Sequence, residues 1–254
     1  MKAKKALGQH FLNDMELARQ IVEALSVDTK NVLEVGPGPG VLTQFLYASR
    51  ADYNVKLVEL DSRFAKQLKT DYPDFADSIE EGDVLQQNWT SLFKNNFQVI
   101  GNFPYNISSQ IVFKIIENYE RVDFMVGMFQ KEMAHRICSV PSKKSYGVIS
   151  VLTQLFYETE LLFDLPPSAF SPPPKVFSSV MVLKRKKVEL DVPYKAIRRL
   201  VKMAFSQRRK KLRNALKNEP VAEMPVFVDF AGKRAEELSG EDFILLTKAN
   251  MKNV

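Results

Sequence analysis

The run Gly36-Pro37-Gly38-Pro39-Gly40 follows the apolar stretch NVLEV (31–35) and precedes the helical pattern VLTQFLYAS. Glycines between a strand and a helix let the backbone approach a ligand closely, so Gly36 and Gly38 are candidate ligand contacts. Glu59, twenty-three residues after Gly36, ends a second apolar run, NVKLVEL (54–60). An acid at that point can accept hydrogen bonds from both hydroxyls of an adenosine ribose. The glycines run G-x-G-x-G rather than in the dinucleotide pattern. An adenosine-type cofactor is therefore indicated, with S-adenosylmethionine and NAD both open. Asp83, in EEGDVL, ends a third short strand and could accept from an adenine amine, although aspartates there more often hold a turn.

GNFPYN (101–106) follows a fourth apolar run, FQVIG (97–101). Asn102 offers an amide oxygen, and Pro104 holds the turn so that the Phe103 carbonyl points to the same place. Tyr105 adds a face on which a base can stack. Two acceptors and a stacking plane suit a planar base that carries an amino group. That amine is a poor nucleophile, because its lone pair is delocalised into the ring. Hydrogen bonds to two fixed acceptors favour a more tetrahedral nitrogen, aimed at an electrophilic methyl. The chemistry then rests on positioning and electrostatics, with no general base.

These residues need a scaffold of alternating strands and helices. A helix is expected over 13–25, with Asn13 as its N-cap and Glu16 three residues on. Strands are expected at 31–35, 54–60, near 78–81, at 97–101 and at 123–129. Asp61 can cap the helix after the second strand, and helical segments are expected near 108–119 and 131–139. Such alternation implies a parallel sheet covered on both faces. VISVLTQLFY reads as a helix. ELLFDL and VFSSVMVLK then read as strands joined by LPPSAFSPPPK, whose five prolines fix an extended loop. Late strands joined in this way suit an antiparallel edge. From Pro193 the pattern is helical, punctuated by Pro193, Pro220 and Pro225. A boundary near Lys187 gives two expected domains, 1–187 and 188–254.

The chain has 254 residues and a mass of 29.0 kDa. At this size folding buries about 73% of the unfolded surface, so neither disulfides nor a metal is needed. One cysteine rules out a disulfide framework, and with only two histidines no metal site is expected. No apolar run approaches the roughly 20 residues that span a bilayer, and MKAKKALGQHF lacks a signal-peptide core. A soluble, cytoplasmic protein without a membrane partner is expected. The net charge of +6 is unevenly spread. Residues 184–217 hold 14 Lys and Arg against Glu189 and Asp191, a local charge of +12, which leaves −6 on the rest. An acidic body with one basic segment suggests a polyanion site, against the plainer reading of a solvated face.

The sequence resembles the KsgA-type ribosomal RNA adenine dimethyltransferases. GQHFLND, VLEVGPGPGVLT, KLVELD, EGDVL, GNFPYNIS, FQKEMAHRI, SYGVISVLTQ, LPPSAFSPPPKVFSSV and AFSQRRKKLRNAL follow one another as in that family, across essentially all of residues 1–217. The resemblance implies an α/β, Rossmann-like class I methyltransferase fold: a mostly parallel sheet with an antiparallel edge, plus a small C-terminal all-helical domain that binds RNA. It implies S-adenosylmethionine as cofactor and N6-dimethylation of two adjacent adenines in the 3′-terminal hairpin loop of small-subunit rRNA. The partner implied is the immature 30S subunit, met by a monomer.

By motif position, His10 and Leu12 would line the cofactor site, with Gly36 and Gly38 near the methionine part. Glu59 would take the ribose, Asp83 the adenine amine, and Asn102 both the methionine end and the target base. Asn102, Phe103, Pro104 and Tyr105 would form the catalytic turn. Arg208, Arg209, Lys210, Lys211 and Arg213 would meet rRNA phosphates. Two departures stand out: His10 replaces the family's usual Asn, and NFPY replaces NLPY. Little consequence is expected of the second, since Phe103 is to act through its carbonyl. His135 and Cys138 read as structural, whereas Phe170 and Phe177 could either stack on a base or simply pack. Two other functions remain: an Erm-type methyltransferase of large-subunit rRNA, and a non-catalytic RNA-binding factor on the same scaffold.

Overall fold

The structure, a computed structural model, describes Lys4, residues 7–188 and residues 190–251. In chain order the elements are β1 (Phe11–Leu12), α1 (Met15–Glu23), β2 (Asn31–Val35), α2 (Thr43–Ala48), β3 (Asn54–Glu59), α3 (Ser62–Asp71), β4 (Ile79–Glu81), β5 (Phe97–Asn102), α4 (Ser108–Glu117) and β6 (Val122–Gln130). There follow α5 (Lys131–Ile137), α6 (Val148–Phe156), β7 (Tyr157–Leu165), β8 (Phe170–Ser171), β9 (Ser178–Arg185), α7 (Tyr194–Ser206), α8 (Leu212–Ala215), α9 (Val228–Ala231) and α10 (Gly240–Met251).

Seven strands form one sheet in the order β4-β3-β2-β5-β6-β9-β7. The five from β4 to β6 pair in parallel. β9 runs antiparallel to β6, with Val126 opposite Val182, and β7 lies outside β9. The central strands are apolar along their length because helices cover both faces: Val32 and Leu33 in β2, Val99 and Ile100 in β5, and Met125 and Val126 in β6 are all fully buried. The mostly parallel sheet with an antiparallel edge matches the fold class expected from the sequence. A separate two-stranded ribbon pairs β1 with β8, Leu12 opposite Phe170.

The N-cap of α1 falls one residue later than expected. Asp14, not Asn13, caps the helix: its backbone is extended and its carboxylate accepts from the Glu16 and Leu17 amides. Asn13 is held instead by a backbone bond to the Ala169 carbonyl, an interaction with distant chain that sequence spacing cannot show. Asp61 does cap α3, accepting from the Arg63 amide.

The chain divides into two compact units. One comprises Met1–Ala134 and Glu158–Arg185, the other His135–Tyr157 and Lys186–Val254. This differs from the 1–187 and 188–254 split, because α6 belongs with the C-terminal helices. The reason is its composition: Ile149, Val151, Leu152, Leu155 and Phe156 are buried around its circumference, so it needs cover on every side. Phe156 meets the Tyr194 ring edge-on at 5.6 Å, and Gly240 lies against Leu155 with no room for a Cβ.

Candidate functional site

A cleft of about 1040 Å3, its open mouth included, lies at the carboxyl ends of β2, β3, β4 and β5. The chain crosses there from β4 back past β2 to β5, so the sheet's strand order reverses beside the cleft. Open α/β sheets bind ligands at such switch points. His10, Leu12, Gly36, Gly38, Glu59, Asp83, Asn102, Phe103, Pro104 and Tyr105 all line it, so residues spread over 95 positions of sequence meet in one place.

The glycine loop forms its floor. Gly36 and Gly38 have φ of +64° and +55°, a left-handed backbone that side chains disfavour. A Cβ on Gly36 would meet nothing nearer than Pro104 Cδ at 4.0 Å, so that backbone is open to close approach from the cleft.

Glu59 ends β3 and is 5% exposed. The Gly38 amide donates to Oε2 at 2.8 Å and the Asp61 amide to Oε1 at 2.7 Å. Burial pushes its carboxyl up, and the amides of Asp61, Gly38 and Leu60 oppose that. The carboxylate, with about four lone-pair sites, still has acceptor capacity for a further donor such as a ribose hydroxyl. Asp61, also buried, is held well below the usual carboxylate range by the Arg63 guanidinium. Asp83 is half-buried, and its Oδ1 accepts from the Leu85 amide at 2.9 Å. The turn role therefore occupies one of its oxygens.

The turn after β5 is tied to the N-terminal segment. Asn102 Nδ2 donates to the His10 carbonyl at 2.8 Å, which leaves Oδ1 as its acceptor. The His10 ring lies 5.5 Å from that of Tyr105, nearly parallel at 25°. His10 Nδ1 lies 2.7 Å from the Pro172 carbonyl, and since a carbonyl only accepts, Nδ1 carries the proton. Tyr105 and Ser178 share a hydrogen bond at 2.5 Å between their hydroxyls. Burial raises the Tyr105 phenol, so it stays neutral near pH 7. Phe103 is 1% exposed, its ring filling a slot where Gly101 and Gly127 carry no side chain. A Cβ on Gly127 would stand 2.2 Å from that ring. Of the two aromatic candidates further along, Phe170 is buried in the ribbon and Phe177 is half exposed.

Two participants escaped the motif reading. Ser178 lies 73 residues from Tyr105 and carries no local signal. Glu34 does carry one, an acid inside the apolar run VLEV, and it lines the same cleft. Its carboxyl is 1% exposed.

In the helical unit the basic segment divides by role. Arg208 donates to Glu236 at 2.7 Å, and Arg199 makes two bonds to the buried Glu219 at 2.7 and 2.8 Å. Arg209, Lys210, Lys211 and Arg213 are exposed. Among the described residues no group of three His, Cys, Asp or Glu could hold a metal, and no helix is long and apolar enough to cross a membrane.

The family model described as ribosomal RNA adenine dimethylase matches residues 1–248. "Ribosomal RNA small subunit methyltransferase A" of Cytophaga hutchinsonii is 44% identical over 250 residues, covering 97% of this chain and 96% of that protein. Its counterpart in Porphyromonas gingivalis is 46% identical, covering 97% of each. The crystal structure of a dimethyladenosine transferase from Plasmodium falciparum superposes with a TM-score of 0.81 at 26% identity, covering 96% of this chain and 99% of that one. That of the 23S rRNA methyltransferase ErmE gives 0.69 at 25%, covering 94% and 98%.

Proposed function

The chain belongs to the ribosomal RNA adenine dimethylase family, and we propose on that basis that its cleft methylates two adjacent adenines in the 3′-terminal hairpin loop of small-subunit rRNA. It is an S-adenosylmethionine-dependent rRNA adenine dimethyltransferase. Relatives named for the small subunit are 44–46% identical, against 25% for the 23S enzyme, which favours the small-subunit substrate over the Erm-type alternative. An intact set of cleft residues speaks against a purely non-catalytic factor.

The residues present fit the cofactor. Glu59, buried with lone pairs to spare, suits the ribose hydroxyls, and Gly36 leaves the backbone bare where a ligand must lie close. Asp83 and Leu12 complete the wall, and His10 contributes chiefly through its bonds to Asn102 and Pro172. When bound, S-adenosylmethionine supplies an electrophilic methyl on a positively charged sulfur.

The observation that carries the catalytic reading is the bond from Asn102 to the His10 carbonyl. It holds the amide so that Oδ1 accepts from the adenine amine, together with the Phe103 carbonyl. Pro104 fixes this turn, and Phe103 is anchored by its buried ring. His10 covers one face of Tyr105, so the target base stacks on the other. Both acceptors draw on the amine hydrogens and localise its lone pair. The proton lost on methylation passes to solvent, since the neutral Tyr105 phenol offers no base. The immature 30S subunit is the proposed partner of a monomer acting in the cytoplasm. Arg209, Lys210, Lys211 and Arg213 grip phosphates, and Arg208 braces that segment.

The test is to incubate the protein with S-adenosylmethionine and undermodified 30S subunits, then measure methylation of the 3′-terminal loop by mass spectrometry. Two neighbouring dimethyladenines are expected. Methylation confined to large-subunit rRNA, or none, overturns the proposal.

A further inference from the structure

Glu34 is an acid where the fold offers it little support. It lies in the middle strand β2, between Leu57 of β3 and Ile100 of β5, and is 1% exposed. Thr43 at the start of α2 donates to Oε2 at 2.8 Å. Oε1 is buried and has no hydrogen-bond partner among the described residues. A buried carboxylate oxygen without a donor is costly when ionised and far less so when protonated.

Its charged neighbours are few. From β3 comes Glu59, a second buried acid of the same sign. Tyr72, at the end of α3, is near enough for its phenol to be raised in part by Glu34. Asp61 lies beyond Glu59 and is matched by Arg63. β5 sets Ile100 beside Glu34, and α2 sets Thr43 against its Oε2. Among the described residues no cation shifts Glu34 or Glu59. Both acids nevertheless line a cleft that takes a sulfonium.

We propose that Glu34 is a charge sensor beneath the glycine loop: it carries a proton in the free protein and releases it when a sulfonium-bearing nucleoside binds. The inference rests on the cofactor reading above and deepens it. Burial, reinforced by the Glu59 charge and opposed by Thr43, pushes the Glu34 carboxyl up to about 8, so the proton is present at pH 7. Positive charge in the cleft favours the carboxylate, and Glu34 gives its proton to solvent. In methyl transfer the carbon–sulfur bond breaks with its electron pair left on sulfur. The adenine nitrogen forms the new bond and loses one proton to water. The remaining thioether is neutral, and Glu34 then takes a proton back. The cleft thereby separates cofactor from product, which differ in little but one methyl and one charge.

The test is calorimetry with S-adenosylmethionine and S-adenosylhomocysteine, in buffers of differing ionisation enthalpy, on wild type and Glu34→Gln. Comparing the two proteins cancels protons exchanged by the ligand's own amino group. Wild type should release most of one extra proton at pH 7 with the sulfonium and much less with the thioether. Its sulfonium affinity should rise by up to tenfold per pH unit until about pH 8. Glu34→Gln should lose both effects. Thr43→Val, which removes a bond favouring the carboxylate, should move the midpoint to higher pH, and it serves as the test if Glu34→Gln does not fold. Equal proton release with both ligands, release that persists in Glu34→Gln, or an unshifted midpoint in Thr43→Val overturns the inference and leaves Glu34 as a brace for α2. If neither ligand binds, the cofactor reading itself fails, and this inference falls with it.

Discussion

Asn102 and His10 are 92 residues apart, and the side-chain amide of the first donates to the backbone carbonyl of the second at 2.8 Å. That bond decides which end of the amide is left to accept from a substrate. It also ties the turn after β5 to the segment that precedes β1. Because the contact to His10 is through its carbonyl, it survives whatever side chain stands at that position. The imidazole is free for a separate task, bridging Tyr105 and the Pro172 carbonyl.

Asn102→Ala should reduce single-turnover methylation at saturating cofactor by about 100-fold or more, the usual cost of removing one preorganised group at the reacting centre. Circular dichroism should show an intact fold. A rate near wild type would mean that the amine is not oriented by this side chain.

Glu59→Ala should weaken S-adenosylmethionine binding by about 1–3 kcal/mol, since ribose hydroxyls lose their acceptors in a buried place. The same change strips the Gly38 and Asp61 amides of theirs, so the thermal midpoint should fall as well. Calorimetry on the folded variant checks the first part, and unchanged affinity would remove Glu59 from the cofactor site.

Phe103 acts through more than its carbonyl. Its ring fills the Gly101–Gly127 slot, so Phe103→Ala should cost roughly 3–5 kcal/mol in urea unfolding. Gly127→Ala should also destabilise, because the new methyl would collide with the ring. A Gly127→Ala protein as stable as wild type would mean that the ring moves aside freely.

Reversing charge at Arg209, Lys210 and Arg213 should weaken binding to the small subunit and flatten its salt dependence, with cofactor affinity unchanged. Arg208→Ala should instead lower stability, because it leaves Glu236 without its partner. Filter binding across a salt series separates the two. An unaltered slope in the triple variant would show that the segment faces solvent.

Glu34 also predicts a pH dependence of stability in the absence of cofactor. Its carboxyl is raised in the folded state from 4.5 to about 8. Its contribution is therefore fully present below about pH 4.5 and is lost as pH rises through 8, by at most about 1.4 kcal/mol per unit. Urea titrations from pH 5 to 8.5 should show wild type losing stability relative to Glu34→Gln. Parallel profiles would mean that Glu34 is already ionised.

Sequence by itself determined the parts of this protein that depend on short spacing. The strand–glycine–helix run at 31–48, the acid closing β3, the Asn-Phe-Pro-Tyr turn after β5 and the prolines that open the C-terminal helical pieces are each local: residue type and order suffice to impose the backbone. The parallel sheet followed from the same alternation, since strands apolar throughout need helices on both faces. What sequence could not supply were relationships between distant segments. The pairing of β1 with β8, the stack of His10 on Tyr105, the Ser178 hydroxyl on that tyrosine and the transfer of α6 to the C-terminal helices all bring together residues far apart in the chain. Only packing chooses among such partners. The division of the basic segment has the same origin, because Arg208 and Arg209 are adjacent and identical in type. One meets Glu236 and the other meets solvent, and that difference arises from burial, a property no single residue carries.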